Sequence, residues 1–230
     1  MDRSFAMRDQ NIGGLLWQFS LPAIVGMIIN ALYNIVDRIF VGRGIGFIAI
    51  AATTVAFPIM LISFAVAMLV GIGATALISI RLGQQKKEEA ERVAGSAAGM
   101  LIVLPSILAV IYLLFPDPIL RFFGSSEDVL PYARDFTNII MLGAPLGAIG
   151  FGLNNFIRAE GNPRLAMMTQ IIGGVTNVVL NYYFIFIVGM GIKGSALGTV
   201  LGQLVSALWV TGYFFTGRSL AESGIVPDVG

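Results

Sequence analysis

The sequence predicts an all-α membrane protein, a bundle of six transmembrane helices. Three observations carry that class. First, 57% of the residues are hydrophobic and 12% are charged, with mean hydropathy +0.86. A soluble domain carries about 25% charged residues, and no soluble fold of this size can hide so much apolar surface. Second, six windows between consecutive charged residues, 10–36, 44–80, 93–116, 136–157, 165–192 and 194–217, run to 27, 37, 24, 22, 28 and 24 residues. A bilayer core of ~30 Å needs about 20 apolar helical residues. Third, with six spans and the N-terminus inside, Arg3, Arg8, Arg81, Lys86, Lys87, Arg92, Arg158, Arg164 and Arg218 fall on the inner side. Arg38, Arg43, Arg121, Arg134 and Lys193 fall outside. That excess of nine over five, out of 14, follows the positive-inside rule and places both termini in the cytoplasm.

Taken in order, the spans are expected at about 14–38, 47–80, 93–115, 132–157, 165–188 and 195–216, forming one transmembrane unit over 1–217. The first stretch is too long for a signal-peptide core and has no clear cleavage pattern, so it is a retained helix; Pro22 is its bending point. The second window would make roughly 55 Å of helix, too long for one straight crossing. Either Pro58 bends it or it divides into two short spans or a re-entrant pair. The run Arg81 to Arg92, RLGQQKKEEAER, reads as an inner loop with a short amphipathic helix at the membrane surface.

Pro116, Pro118, Gly124 and Pro131 punctuate an outer connection, where Ser125, Ser126, Glu127 and Asp128 form a cap and first turn for the fourth span. Pro163, in RAEGNPR, marks a tight inner turn before the fifth. Residues 218–230 are a cytoplasmic tail or the start of a connection to a further unit. The expected location is the cell membrane, crossed several times, with membrane lipid as the surrounding partner.

Several chemistries drop out. The chain has no cysteine and no histidine, which removes thiol nucleophiles, thiolate metal sites, histidine relays and Ser-His-Asp catalysis. No nucleophile–base pair is visible, so the chain is not expected to be an enzyme and needs no cofactor. A net charge of +1 gives no basis for nucleic-acid binding.

Polar side chains are expensive in a bilayer and face the bundle interior or a water-filled cavity, so function is sought among them. On the first helix Asn30, Tyr33, Asn34 and Asp37 share one face at i, i+3, i+4 and i+7. The fifth span carries Gln170, Asn177 and Asn181, and the sixth Ser195, Thr199, Gln203 and Ser206, again as stripes. Facing one another, the three seams would line a polar pocket. Asp37 stands out: a carboxylate in a low-dielectric cavity can exchange a proton or offer oxygen to sodium, with Asn, Thr and backbone carbonyls completing a cage. The structural alternative puts Asp37 at the outer interface beside Arg38 and Arg43, and makes the Asn, Gln, Ser and Thr stripes interhelical glue.

The stretches LPAIVGMIINALYNIVDRIFVGRGIG, RAEGNPRLAMMTQIIGGVTNVVLNYYFIF and IKGSALGTVLGQ give the chain its resemblance to the N-terminal half of multidrug and toxic compound extrusion (MATE) transporters. The resemblance covers nearly the whole chain. It implies one six-helix lobe of a two-lobed exporter that works by alternating access, coupled to sodium or proton influx, with an amphipathic organic substrate. It also implies a cation site at Asp37, Asn177, Asn181 and Thr199, with Asn30, Tyr33, Asn34, Gln170 and Gln203 as cavity residues. Pro22, Tyr33 and Asp37 match the family's first-helix pattern. Asn181 departs from an Asn-x-x-x-Asp pattern, leaving Asp37 as the single acid. The family has about twelve spans, so the second lobe would be another copy of this chain or a missing C-terminal half. A flippase for a lipid-linked saccharide and a non-transporting assembly module are the alternatives.

Overall fold

The computed structural model describes residues 12–215. They form seven α-helices: α1 (Ile12–Gly44), α2 (Phe47–Gly83), α3 (Lys87–Leu114), α4 (Pro116–Phe122), α5 (Leu130–Ala159), α6 (Pro163–Tyr182) and α7 (Ile192–Phe215). A π-helical turn, Tyr183–Ile187, continues α6. Six stretches are long and apolar enough to cross a membrane: Ser20–Gly44, Phe47–Gly83, Lys87–Leu114, Leu130–Ala159, Pro163–Ile187 and Ile192–Phe214. In lipid every backbone amide has to be satisfied within the segment, which is why such apolar runs are helical throughout. Arg3, Arg8, Arg218 and the tail 218–230 lie outside the described residues, as does the last residue of the expected span 195–216.

The 37-residue second window is one helix, and the split or re-entrant alternative does not occur. The reason is visible in its buried residues, Ala49, Ala52, Ala56, Ile59, Ser63, Ala67, Gly71, Ala74 and Ile78. They recur at intervals of three or four along the whole length, a single helical stripe that continues straight through Pro58. That stripe packs along α5 and α3.

The hydrophilic run from Arg81 to Arg92 also differs from expectation. There is no separate surface helix: α2 ends at Gly83 and α3 already begins at Lys87, leaving a three-residue turn. Glu89 binds Arg81 (3.2 Å) and Lys86 (3.0 Å), fastening the turn. At the opposite end of the bundle, the connection from α3 to α5 contains the short helix α4, which starts on Pro116. Residues 125–129 make a turn in which the Ser126 carbonyl accepts from the backbone amides of Val129 and Leu130. Pro163 sits at the first position of α6, where its missing N–H costs nothing, and the Asn162 side chain caps that helix by accepting from the Leu165 amide at 3.3 Å.

α5 is the hub, packed against α2, α3 and α7. α1 is peripheral and rests mainly on α6. Its other faces leave Leu21, Ile24, Ile28, Leu32, Ile35 and Ile39 exposed.

Candidate functional site

The polar seams of α1, α6 and α7 meet near the C-terminal end of α1. Asp37 lies seven residues before the end of α1, about 10 Å along the helix from that end. Its carboxylate oxygen Oδ1 accepts from Asn181 Nδ2 at 2.6 Å and from Ser195 Oγ at 3.1 Å. The same Asn181 nitrogen donates to Asn177 Oδ1 at 3.3 Å, and Asn177 Nδ2 donates to Thr199 Oγ1 at 3.1 Å. The four residues expected to form a cation site, Asp37, Asn177, Asn181 and Thr199, are thus one hydrogen-bonded chain across three helices.

Local structure explains the convergence. Asn177 and Asn181 are one helical turn apart on α6 and both are buried. α7 comes close because Gly198 has no side chain: a Cβ there would overlap the Asn181 amide oxygen. That oxygen is buried and has no hydrogen-bond partner. Beyond Asn181 the chain widens into the π-helical turn, then reverses at Gly189 (φ 75°) and Gly191 (φ 59°), left-handed conformations natural to glycine. The reversal returns α7 so that its first turn, with Ser195, faces α1. Toward the C-terminal end of α1, Phe40, Tyr182 and Phe186 cluster with ring centroids 5.3–6.0 Å apart.

Among the described ion pairs none involves Asp37. Asp37 is half-buried, with Arg38 beside it in sequence exposed on α1. The hydrogen-bond partners of Asp37 are neutral groups from α6 and α7. No cluster of three or more acidic, His or Cys residues occurs among the described residues, so the oxygens available to a cation besides the one carboxylate are amide and hydroxyl oxygens.

The proposed cavity residues separate into two groups. Asn30 and Asn34 are exposed on α1; Asn30 Nδ2 donates to Tyr33 Oη at 3.3 Å and Asn34 Nδ2 to the Asn30 carbonyl at 2.7 Å. Gln170 of α6 reaches across to α1 and to the end of α5, its amide lying between the Gly26 carbonyl at 2.8 Å and the Arg158 guanidinium. Gln203 of α7 lies against Gly147 of α5. Both are half-buried. Ser195 is the member of the Asp37 site that stripe-reading leaves unassigned; its position at i−4 from Thr199 was the available signal.

Six stretches long and apolar enough to cross a membrane, with polar residues converging on a carboxylate within one of them, define a polytopic membrane protein. The MatE family model matches residues 22–183, and the chain belongs to that family. It is 29% identical over 213 residues to the multidrug export protein MepA of Staphylococcus haemolyticus, covering 93% of this chain and 47% of that protein. It is 27% identical over 210 residues to MepA of Staphylococcus aureus, with 91% and 47% covered. Among solved structures it resembles the MATE multidrug transporter DinF-BH (39% identity, TM-score 0.86, covering 91% of this chain and 47% of that one). It also resembles an outward-facing multidrug resistance MATE family transporter (28% identity, TM-score 0.85, covering 90% and 46%). The chain spans about half the length of the relatives it matches, and its fold is that of one lobe.

Proposed function

We propose that this chain is one lobe of an exporter of amphipathic organic compounds, coupled to sodium or proton influx, in which Asp37 binds the driving ion. The observation that carries the reading is a carboxylate inside a membrane span whose hydrogen-bond partners are all neutral. A lone negative charge in such a place is costly. It is relieved by a proton or a monovalent cation, and so the energy of the site depends on its occupancy. Because Asp37, Asn181 and Ser195 lie on three different helices, occupancy biases how α1 sits against α6 and α7. Differential binding of this kind is what shifts a two-state, alternating-access equilibrium.

The pathway side is the exposed face of α1. Asn30 and Asn34 are polar, mid-helix and uncovered, which suits a water-filled cavity between two lobes rather than lipid contact. Tyr33 joins them, and the apolar residues beside them offer the greasy wall that amphipathic compounds need. A flippase would want several cationic side chains on that face to meet phosphates, and within the span α1 offers one, Arg38, exposed a turn beyond Asn34. The second six-helix lobe is another copy of the chain or a C-terminal half. The protein sits in the cell membrane with both termini cytoplasmic.

The test is Asp37→Asn in proteoliposomes, with efflux of a lipophilic cationic dye followed under an imposed sodium or proton gradient. Gradient-driven efflux should disappear while the protein remains folded by circular dichroism. Unaltered ion-driven efflux in the folded variant removes the central claim.

A further inference from the structure

Ser195 behaves unlike most other helical hydroxyls. Thr53, Thr54, Thr75, Ser106, Thr169 and Thr211 each donate to a backbone carbonyl three or four residues earlier in their own helix, the usual resting place for such groups. Ser195 is fully buried, and its hydroxyl reaches across to a side chain on α1, Asp37 Oδ1 at 3.1 Å.

The two donors on that oxygen differ in what they can do next. Asn181 is locked. Its Nδ2 serves both Asp37 and Asn177, and its Oδ1 is wedged against the Gly198 backbone with no partner. Turning the amide over would bring two amide oxygens, its own and that of Asn177, face to face. Ser195 is free to change role, because a hydroxyl carries one donor and two acceptor lone pairs and reverses by rotating about a single bond. The other ionisable groups near Asp37 are Arg38 and Tyr33, both on α1. Lys193, at the start of α7, is paired with Asp135 of α5 instead.

We propose that Ser195 is a positioning residue for Asp37 that follows the occupancy of the site. With the site empty its hydroxyl donates to the charged carboxylate. When a proton or monovalent cation arrives, the hydroxyl rotates and presents a lone pair, while Asn181 holds the carboxylate in place. The inference rests on the reading of Asp37 as the ion site and adds a fifth group to it, supplied by the first turn of α7.

The experiment uses the full chain in nanodiscs with ¹³C-labelled aspartate, following the carboxyl infrared band across a pH series with and without sodium. Asp37→Asn identifies the band that belongs to Asp37. Ser195→Ala should raise the pH midpoint of that band by about one unit, because the hydrogen bond to the charged carboxylate is stronger than the reversed one to the protonated carboxyl. Ser195→Thr, which keeps the hydroxyl, should return the midpoint to the wild-type value. A midpoint in Ser195→Ala equal to that of the wild type, with the band still vanishing in Asp37→Asn, overturns the role of Ser195 and leaves the ion-site reading intact. Absence of any titrating band that depends on Asp37 overturns both. An Ala midpoint shifted but not restored by Thr also overturns it, since packing alone then explains the change.

Discussion

A methyl group at position 198 would land on the Asn181 amide oxygen, which is already fixed between α6 and α7. Gly198→Ala should therefore push α7 away from α6, lowering stability by about 1–3 kcal/mol as other overpacked cores do. It should also weaken the Asn181–Asp37 contact. Thermal unfolding in detergent together with sodium or proton titration checks both effects, and a wild-type result in both would show that α7 yields without cost. Just past the end of α5, outside the spans, burial pushes the Glu160 carboxyl up to about 7; its hydrogen bond from Tyr213 and the nearby Lys87 oppose the rise without cancelling it. The folded state then binds a proton more tightly than the unfolded chain does. Its contribution to stability is full below the unfolded value near 4.5 and is lost as pH rises through about 7. Glu160→Gln should flatten the pH dependence of the melting temperature between those limits. A slope unchanged from wild type would locate that dependence in another group.

Among the helices, the α2–α3 and α5–α6 turns are held by different forces of different size. Asn162 caps α6 through the Leu165 amide, and its replacement by Ala should cost about 1 kcal/mol. The Arg81–Glu89 and Lys86–Glu89 pairs are solvent-exposed, and Glu89→Ala should change stability far less, more weakly still in high salt. Chemical denaturation of the two variants in the same detergent ranks them, with the Asn162 change expected to be the larger. The same contrast explains why the hydrophilic run between α2 and α3 was legible as an inner turn but not in detail. Charge marks the side of the membrane, whereas the start of α3 at Lys87 depends on Glu88 and Glu89 in its first turn, which favour the positive end of a helix.

For the molecule as a whole, the uncovered face of α1 is the feature to probe. The sequence contains no cysteine, so a single introduced thiol is unique. Asn34→Cys should react with a water-soluble maleimide if this face lines an aqueous cavity, whereas Leu69→Cys, 76% exposed on α2, should stay unreactive in lipid. Reversed reactivities would move the cavity to another face. Mass measurement in nanodiscs gives the stoichiometry: a stable pair of chains points to a self-sufficient two-lobed assembly, and a single chain to a lobe that needs a separate second half.

The class of the protein, the number of spans and the side chains that are expensive to bury were all legible in the order of residues. Those properties follow from hydropathy, window length and residue type, each summed locally along the chain. The shared stripe of Asn177 and Asn181 was legible too, because helical periodicity is local. Packing alone settled that this stripe meets Asp37 and that Ser195 joins them. Those outcomes depend on how closely helices approach, which is set by side chains on the partner helix, as Gly198 shows at Asn181. The second window became one helix for a related reason: its stripe of mostly small residues is useful only against α3 and α5, which come later in the chain. Periodicity tells which face a residue occupies, and packing tells which neighbour that face will find.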